Sequence, residues 1–190
     1  MITVTLDPII KLQSEDFYAL CCQNPDLKLE RSSQGDLMIM SPTGGETGRR
    51  NVNLIWQLAS WNEVEQLGEV FDSSTGFSLP NGADYSPDGA WLEKQRWQSL
   101  SPVQRERFVP LCPDFVVEIL SPSDNLKKVR SKMQEYILNG CRLGWLINRK
   151  KQEVEIYRPN QVVEILQKPT VISGEDVLPN FILNLTKILS

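Results

Sequence analysis

Glu118 stands in the run Pro113-Asp114-Phe115-Val116-Val117-Glu118-Ile119-Leu120, where its neighbours are apolar or β-branched. Such a run predicts a strand covered on both faces. A carboxylate inside it costs several kcal/mol unless a cation or hydrogen-bond donors meet it. Asp114 shares its face by strand alternation, but four residues of strand separate the two Cα atoms by roughly 13 Å. Both carboxylates cannot readily hold one ion, so Asp114 is expected to cap the turn before the strand. Asp88 is the better partner. It heads the run Asp88-Gly89-Ala90-Trp91-Leu92, thirty residues upstream, far enough for the chain to cross an insertion and return in an adjacent strand. Two further groups stand close to helical stripes. Lys132 lies between Val129 and Tyr136, and its ammonium could reach the sheet end. Glu46 opens the longest helical segment. Each has a plainer reading: a turn aspartate after Pro87, a solvated lysine, and a glutamate paired with Arg49 or Arg50 or placed to favour the helix dipole.

The 190-residue chain contains no histidine, which excludes Ser-His-Asp and Cys-His catalysis, His-ligated zinc and an imidazole base. Acid–base or metal chemistry then falls to Asp, Glu, Lys or Tyr. The net charge of −4 argues against a general nucleic-acid coat, so any nucleic-acid contact needs a local basic patch. Cys21, Cys22, Cys112 and Cys141 form no CxxC pair and read as reduced, mostly buried thiols. The chain shows neither a charged-then-apolar leader nor an apolar run of about 18 residues. No membrane association is expected, and the expectation is a soluble cytoplasmic protein.

The elements that must position these residues follow from pattern. Ser14-Glu15-Asp16 starts a short helix that ends near Asn24. Leu27 and Leu29, then Leu37 to Met40, make a hairpin around Ser33-Gln34-Gly35-Asp36. A long helix over about 46–67 buries Leu54, Ile55, Leu58 and Trp61. Short strands follow at 69–71, 76–79 and 88–92. A polar insertion over 93–108 holds a turn or two of helix after Ser101-Pro102. After the 113–120 strand, Ser121-Pro122-Ser123-Asp124 breaks the chain and caps a helix to about Asn139, with Leu126, Val129, Met133, Tyr136 and Ile137 buried. Strands at 142–147 and 154–157 flank the turn Asn148-Arg149-Lys150-Lys151, and the tail adds a strand and a short terminal helix. With no linker or repeat, residues 1–190 read as one α/β (α+β) domain, a mixed sheet flanked by helices with an N-terminal helix and hairpin.

Four blocks in order, MSPTGGETGRRN, GFSLPNGADYSPDGAW, PDFVVEILSPSD and KMQEYILNGCRLGWLI, resemble the Uma family, bacterial proteins classed as endonucleases within the PD-(D/E)xK, restriction-endonuclease-like group. The likeness covers nearly the whole chain and is most specific over 39–158. It implies a metal-dependent phosphodiesterase core with a helix before the mixed sheet and another after the third core strand. By analogy Asp88 and Glu118 bind Mg²⁺ (or Mn²⁺), the Ile119 carbonyl is an extra ligand, and Glu46 resembles the acid often found on the first core helix. The motif lysine should stand at 120, where this chain has Leu120. Lys132 fits a variant in which the lysine moves to the next helix.

The expected function is therefore a DNA endonuclease in which the ion acidifies a water and polarises the phosphate while Lys132 stabilises developing charge. Arg49, Arg50, Lys94, Arg96, Lys127, Lys128 and Arg130 are the candidate DNA-backbone contacts. The alternative is a catalytically inactive nuclease-fold module that binds DNA or protein, which Leu120 and the acidic balance favour. An interaction domain dimerising through Trp-bearing loops, and a two-carboxylate glycosidase, are weaker readings. A homodimer would be the simplest way to cut both strands.

Overall fold

The computed structural model describes every residue except Met1, Pro8 and Ser123. In chain order the elements are β1 (Ile2–Val4), α1 (Ser14–Gln23), β2 (Lys28–Arg31), β3 (Leu37–Met40), α2 (Gly45–Glu65), β4 (Gly68–Asp72), β5 (Phe77–Ser78), β6 (Asp84–Tyr85) and β7 (Gly89–Glu93). Then come α3 (Lys94–Gln98), α4 (Pro102–Arg105), β8 (Phe115–Ile119), α5 (Leu126–Leu138), β9 (Leu143–Asn148), β10 (Glu153–Tyr157), β11 (Glu164–Gln167), β12 (Val171–Ser173), β13 (Ile182–Asn184) and α6 (Thr186–Leu189). The mixed α/β class and both predicted long helices are observed. Among the described residues the single expected sheet is instead three.

The largest sheet runs β11-β10-β9-β8-β7-β4. Its one parallel pair is β8 with β9, and a parallel pair needs a crossover, which α5 supplies. Strand alternation along β8 sends Phe115, Val117 and Ile119 into one cluster with Leu54 and Leu58 of α2 and with the C-terminal residues Phe181, Leu183 and Ile188. Val116 faces the other way, against Met133 and Tyr136 of α5. Glu118 belongs by parity to this second face. The predicted stripes of α2 and α5 are thus the two covers of the sheet.

The second sheet, β1-β3-β2-β6-β5, joins the N-terminal hairpin to the segment that leads into β7. Strands β5 and β6 have two residues each, too short for any alternation to show. Their link to β2 is the single pair Arg31–Asp84, backed by a buried ion pair at 2.7 Å. Arg31 also donates to Ser14 Oγ (2.7 Å), to the Gly82 carbonyl (2.6 Å) and to the Leu12 carbonyl. One guanidinium therefore fastens the start of α1, the loop before β6 and β6 itself to β2.

Two local expectations are corrected. Helix α5 is capped by Asn125, whose side chain accepts from the Lys127 and Lys128 N–H groups. Asp124 instead accepts from the Ser121 N–H at 2.8 Å, closing a turn, and Ser123 lies outside the described residues. Helix α3 was not foreseen. Its sequence, Lys94-Gln95-Arg96-Trp97-Gln98, has no apolar repeat, and it is held by Trp97 packed edge-on to Phe71 with ring centroids 5.4 Å apart.

Replacing Arg31 with Ala strands Asp84 in the interior and should cost about 3–5 kcal/mol. Urea unfolding followed by tryptophan fluorescence measures it.

Candidate functional site

Strands β7 and β8 pair antiparallel with Gly89 opposite Val117. One more step of that register sets Asp88 opposite Glu118, on the same face and edge of the sheet. Gly89 keeps the space beside Asp88 tight: a Cβ there would stand 3.0 Å from Ile55 Cδ1 and 3.1 Å from Val117 Cγ1, closer than ordinary contact. Its absence lets α2 lie close to the strand. Asn51 of α2 then donates to Asp88 Oδ1 at 2.9 Å, while Asp88 Oδ2 accepts the Ile119 N–H at 2.8 Å. In a strand the N–H and C=O of one residue leave on the same side. The Ile119 carbonyl therefore emerges on the edge that Asp88 occupies, past the start of β7.

Glu118 and Lys132 meet as one turn of α5 passes over the end of β8. Lys132 Nζ lies 2.8 Å from Glu118 Oε1, with the two side chains only 14% and 12% exposed. The Tyr136 hydroxyl donates to the same oxygen at 3.3 Å. On its other flank Lys132 donates to both oxygens of Glu30, at 2.9 and 3.1 Å. Glu30, on β2, is itself 1% exposed and accepts the Ser86 N–H at 2.8 Å. The rings of Tyr85 and Tyr136 complete the cage, with centroids 5.0 and 5.8 Å from the ammonium.

These contacts set the electrostatics. Burial pushes the Glu118 carboxyl up to about 7; Lys132 opposes the rise, and the charges of Asp88 and Glu30 add to it. Burial also raises Asp88, against the pull of the Ile119 N–H, Lys28 and Lys132. For Lys132 burial works against the cation, but Glu118 and Glu30 outweigh it and hold the ammonium above its ordinary range. Lys132 is thus a fixed positive charge.

The residues open onto a cleft of about 540 Å³ lined by Lys28, Glu46, Asp88, Glu118, Lys132 and Arg149. A second hollow of about 330 Å³, walled by Met38, Met40, Tyr85 and Val129, reaches Glu118 and Lys132 from the other side. Among the described residues no group of three or more acids, thiols or imidazoles is arranged to enclose a metal. The donor set is instead two carboxylates and a main-chain carbonyl, which suits Mg²⁺, an ion that keeps several waters and takes one or two carboxylates. Two observations fit a cation here. The carboxylates lining the cleft, Glu46, Asp88, Glu118 and Asp124, outnumber its cations Lys28, Lys132 and Arg149. Asn51 Oδ1, beside Asp88, is a buried oxygen without a hydrogen-bond partner among the described residues.

The structure thus brings Asp88, Glu118, Ile119 and Lys132 together. Glu46 reaches the rim of the same cleft, but its Oε2 is engaged by Arg50 at 2.6 Å and Arg49 at 3.1 Å, the pairing its position suggested. Asp114 lies at the far end of β8. It does not cap the preceding turn: it accepts the Glu93 N–H at 2.9 Å and pairs with Arg96 at 2.8 Å. Leu120 is partly buried against the α5-side core. The expected basic patch disperses. Arg50 is buried on Glu46 and the Ser190 carbonyl, Arg96 serves Asp114, and Arg130 is clamped by Glu155 at 2.6 Å. Lys94 donates to the Gln66 carbonyl at 3.4 Å. Lys127 and Lys128 border the second hollow. Lys28 and Arg149 line the cleft and were missed, as were Glu30, Asn51 and Tyr85. The one available signal was Glu30, an acid flanked by Leu29 in a strand-like run.

A family profile described as "putative restriction endonuclease" matches residues 14–186. The chain belongs to the Uma2 family. Its fold is similar to that of a crystallised "putative nuclease belonging to DUF820" from Anabaena variabilis ATCC 29413, with a TM-score of 0.72 at 18% identity over 85% of this chain and 89% of that one. No curated protein matches the sequence. Among the described residues no helix is long and apolar enough to cross a membrane.

Because Asp114 serves the Uma2 fold and stands away from the cleft, Asp114→Ala should cost about 2–3 kcal/mol through the lost charged hydrogen bonds. Divalent-ion binding by the folded variant should be unchanged, as chemical denaturation and calorimetry together would show.

Proposed function

We propose that this Uma2 chain is a Mg²⁺- or Mn²⁺-dependent endonuclease that hydrolyses DNA phosphodiester bonds in the 540 Å³ cleft. The observation that carries the reading is Lys132 held 2.8 Å from Glu118, at the sheet edge where the neighbouring strand presents Asp88. A lysine absent from position 120 is in this way replaced in space from a helix. When bound, an ion held by Asp88, Glu118 and the Ile119 carbonyl would polarise the phosphate and acidify a water.

The chain's own groups divide the remaining work. Lys132 stays protonated in its carboxylate cage, so it acts by charge: it donates to a phosphate oxygen as negative charge develops there. Asn51 fixes the rotamer of Asp88. The Ile119 N–H does the same from the other side, so Asp88 arrives pre-oriented. Glu46 is assigned an outer place at the rim of the cleft, with Oε2 kept by Arg49 and Arg50. Lys28 and Arg149 are the cations best placed to meet the DNA backbone entering the cleft. The competing reading, a nuclease-fold module that binds without cutting, rests on Leu120.

Nicking of supercoiled plasmid with Mg²⁺ or Mn²⁺ separates the two. Wild type should nick, Asp88→Asn and Glu118→Gln should lose activity by about 10³-fold or more, and Lys132→Ala by about 10²–10³-fold. Wild type no faster than Glu118→Ala would leave only the binding module.

Metal affinity should also follow pH. A proton and a dication compete for Glu118, whose carboxyl is pushed up to about 7. Below that value Mn²⁺ affinity should rise about tenfold per pH unit, and above it should level off. Titration calorimetry from pH 5.5 to 8.5 would measure this, with Glu118→Gln giving a weak, flat profile.

A further inference from the structure

We infer that Glu30, contributed by the N-terminal hairpin, is a positioning residue that holds Lys132 at the reacting phosphate. The inference rests on the nuclease reading for the role of Lys132, and on separate geometry for the anchor.

Lys132 projects from α5 on a four-carbon stem with several rotatable bonds, so one contact does not fix its ammonium. Its contact across the sheet is Glu118, a group the proposed ion also needs. A lysine held by Glu118 alone would compete with that ion for the carboxylate, or would leave the site when the ion took it. Glu30 removes this conflict. Both of its oxygens accept from Lys132 Nζ, at 2.9 and 3.1 Å, so the ammonium keeps an anchor that is independent of Glu118.

The anchor is itself fixed. Glu30 is 1% exposed, its Oε1 also accepts the Ser86 N–H at 2.8 Å, and its chain neighbour Arg31 bolts β2 to β6 through Asp84. Ser86 stands two residues before Asp88, so one carboxylate ties the lysine to the segment that carries the first acid. Glu30 is outside the donor set of Asp88, Glu118 and the Ile119 carbonyl, and no three-acid cage forms among the described residues. A buried ion pair is poor value as a purely structural device, since apolar residues of similar volume serve at least as well. Its use here is directional: Glu118 reaches the ammonium from the six-stranded sheet, and Glu30 reaches it from β2 of the other sheet.

The test compares wild type, Glu30→Gln and Glu30→Asp by steady-state plasmid nicking and by the ¹H–¹⁵N signal of the Lys132 ammonium, assigned through its loss in Lys132→Met. Glu30→Gln keeps an oxygen for Ser86 and removes the charge; Glu30→Asp keeps the charge on a shorter arm. We expect Glu30→Gln to lower kcat about 10–100-fold with KM for plasmid within about twofold, and to broaden the ammonium signal. Glu30→Asp should recover part of both. Wild-type kcat and an unchanged signal in the two variants would overturn the inference. If Glu30→Gln does not fold, a Glu30→Asp protein indistinguishable from wild type in both readouts overturns it equally. If wild type cuts nothing, the nuclease reading fails, and the ammonium signal alone decides whether Glu30 anchors Lys132.

Discussion

The ammonium of Lys132, buried between Glu30 and Glu118, is the contact on which the arrangement of this protein turns. It joins three elements distant in sequence: β2 of the N-terminal hairpin, the end of β8, and the middle of α5. None of the three charges could stand there alone. A buried carboxylate without a partner takes up a proton, and a buried amine gives one away. Together they keep the lysine charged, while burial raises the carboxyls of Glu118 and Asp88. A dication bound there would displace a proton and relieve that burial cost.

The sheet makes this possible through register. A one-residue slip of β7 against β8 would turn Asp88 to the opposite face. Packing guards against the slip from both sides, since Val117 and Trp91 are buried under α2 while Val116 and Leu92 are buried toward α5. The apolar residues of these strands therefore set where the acids meet. The close seat of α2 over Gly89 brings in Asn51, so the same packing that stabilises the sheet also orients the first carboxylate.

Much of this was legible from residue patterns, and the division has a physical reason. The stripes of α2 and α5 and the apolar run around Glu118 are repeated signals, and repetition survives without a structure. Asp88 and Glu118 were legible because a charged residue at an apolar strand is costly and so conspicuous. Lys132 was legible from its place between Val129 and Tyr136. Glu30 was hidden because Lys28-Leu29-Glu30-Arg31 reads as a half-exposed strand with charges facing solvent. Only the covering of that face by α5 and the 82–86 segment buries it. Strand β5 falls inside the run expected at 76–79, but β6 was hidden, because two residues carry no period and its link to β2 is made by Arg31 and Asp84. The basic residues misled for the opposite reason. Arg50, Arg96 and Arg130 look solvated in sequence, yet each is claimed by a carboxylate or carbonyl that folding brings from elsewhere.

The two hollows that flank Lys132 give the buried cage a further consequence. The cleft on the Asp88 side is lined by acids, main-chain groups and the cations Lys28 and Arg149. The one on the Tyr85 side is walled by Met38, Met40 and Val129, with Lys127 and Lys128 at its border. Glu118 and Lys132 are the wall between them. The two side chains in that wall are only 14% and 12% exposed, so their field is screened less than at an open surface. The N-terminal hairpin supplies both Glu30 and the two methionines. It therefore encloses the reacting groups as well as extending the fold: without it the ammonium would face water, and its attraction for a phosphate would be correspondingly weakened.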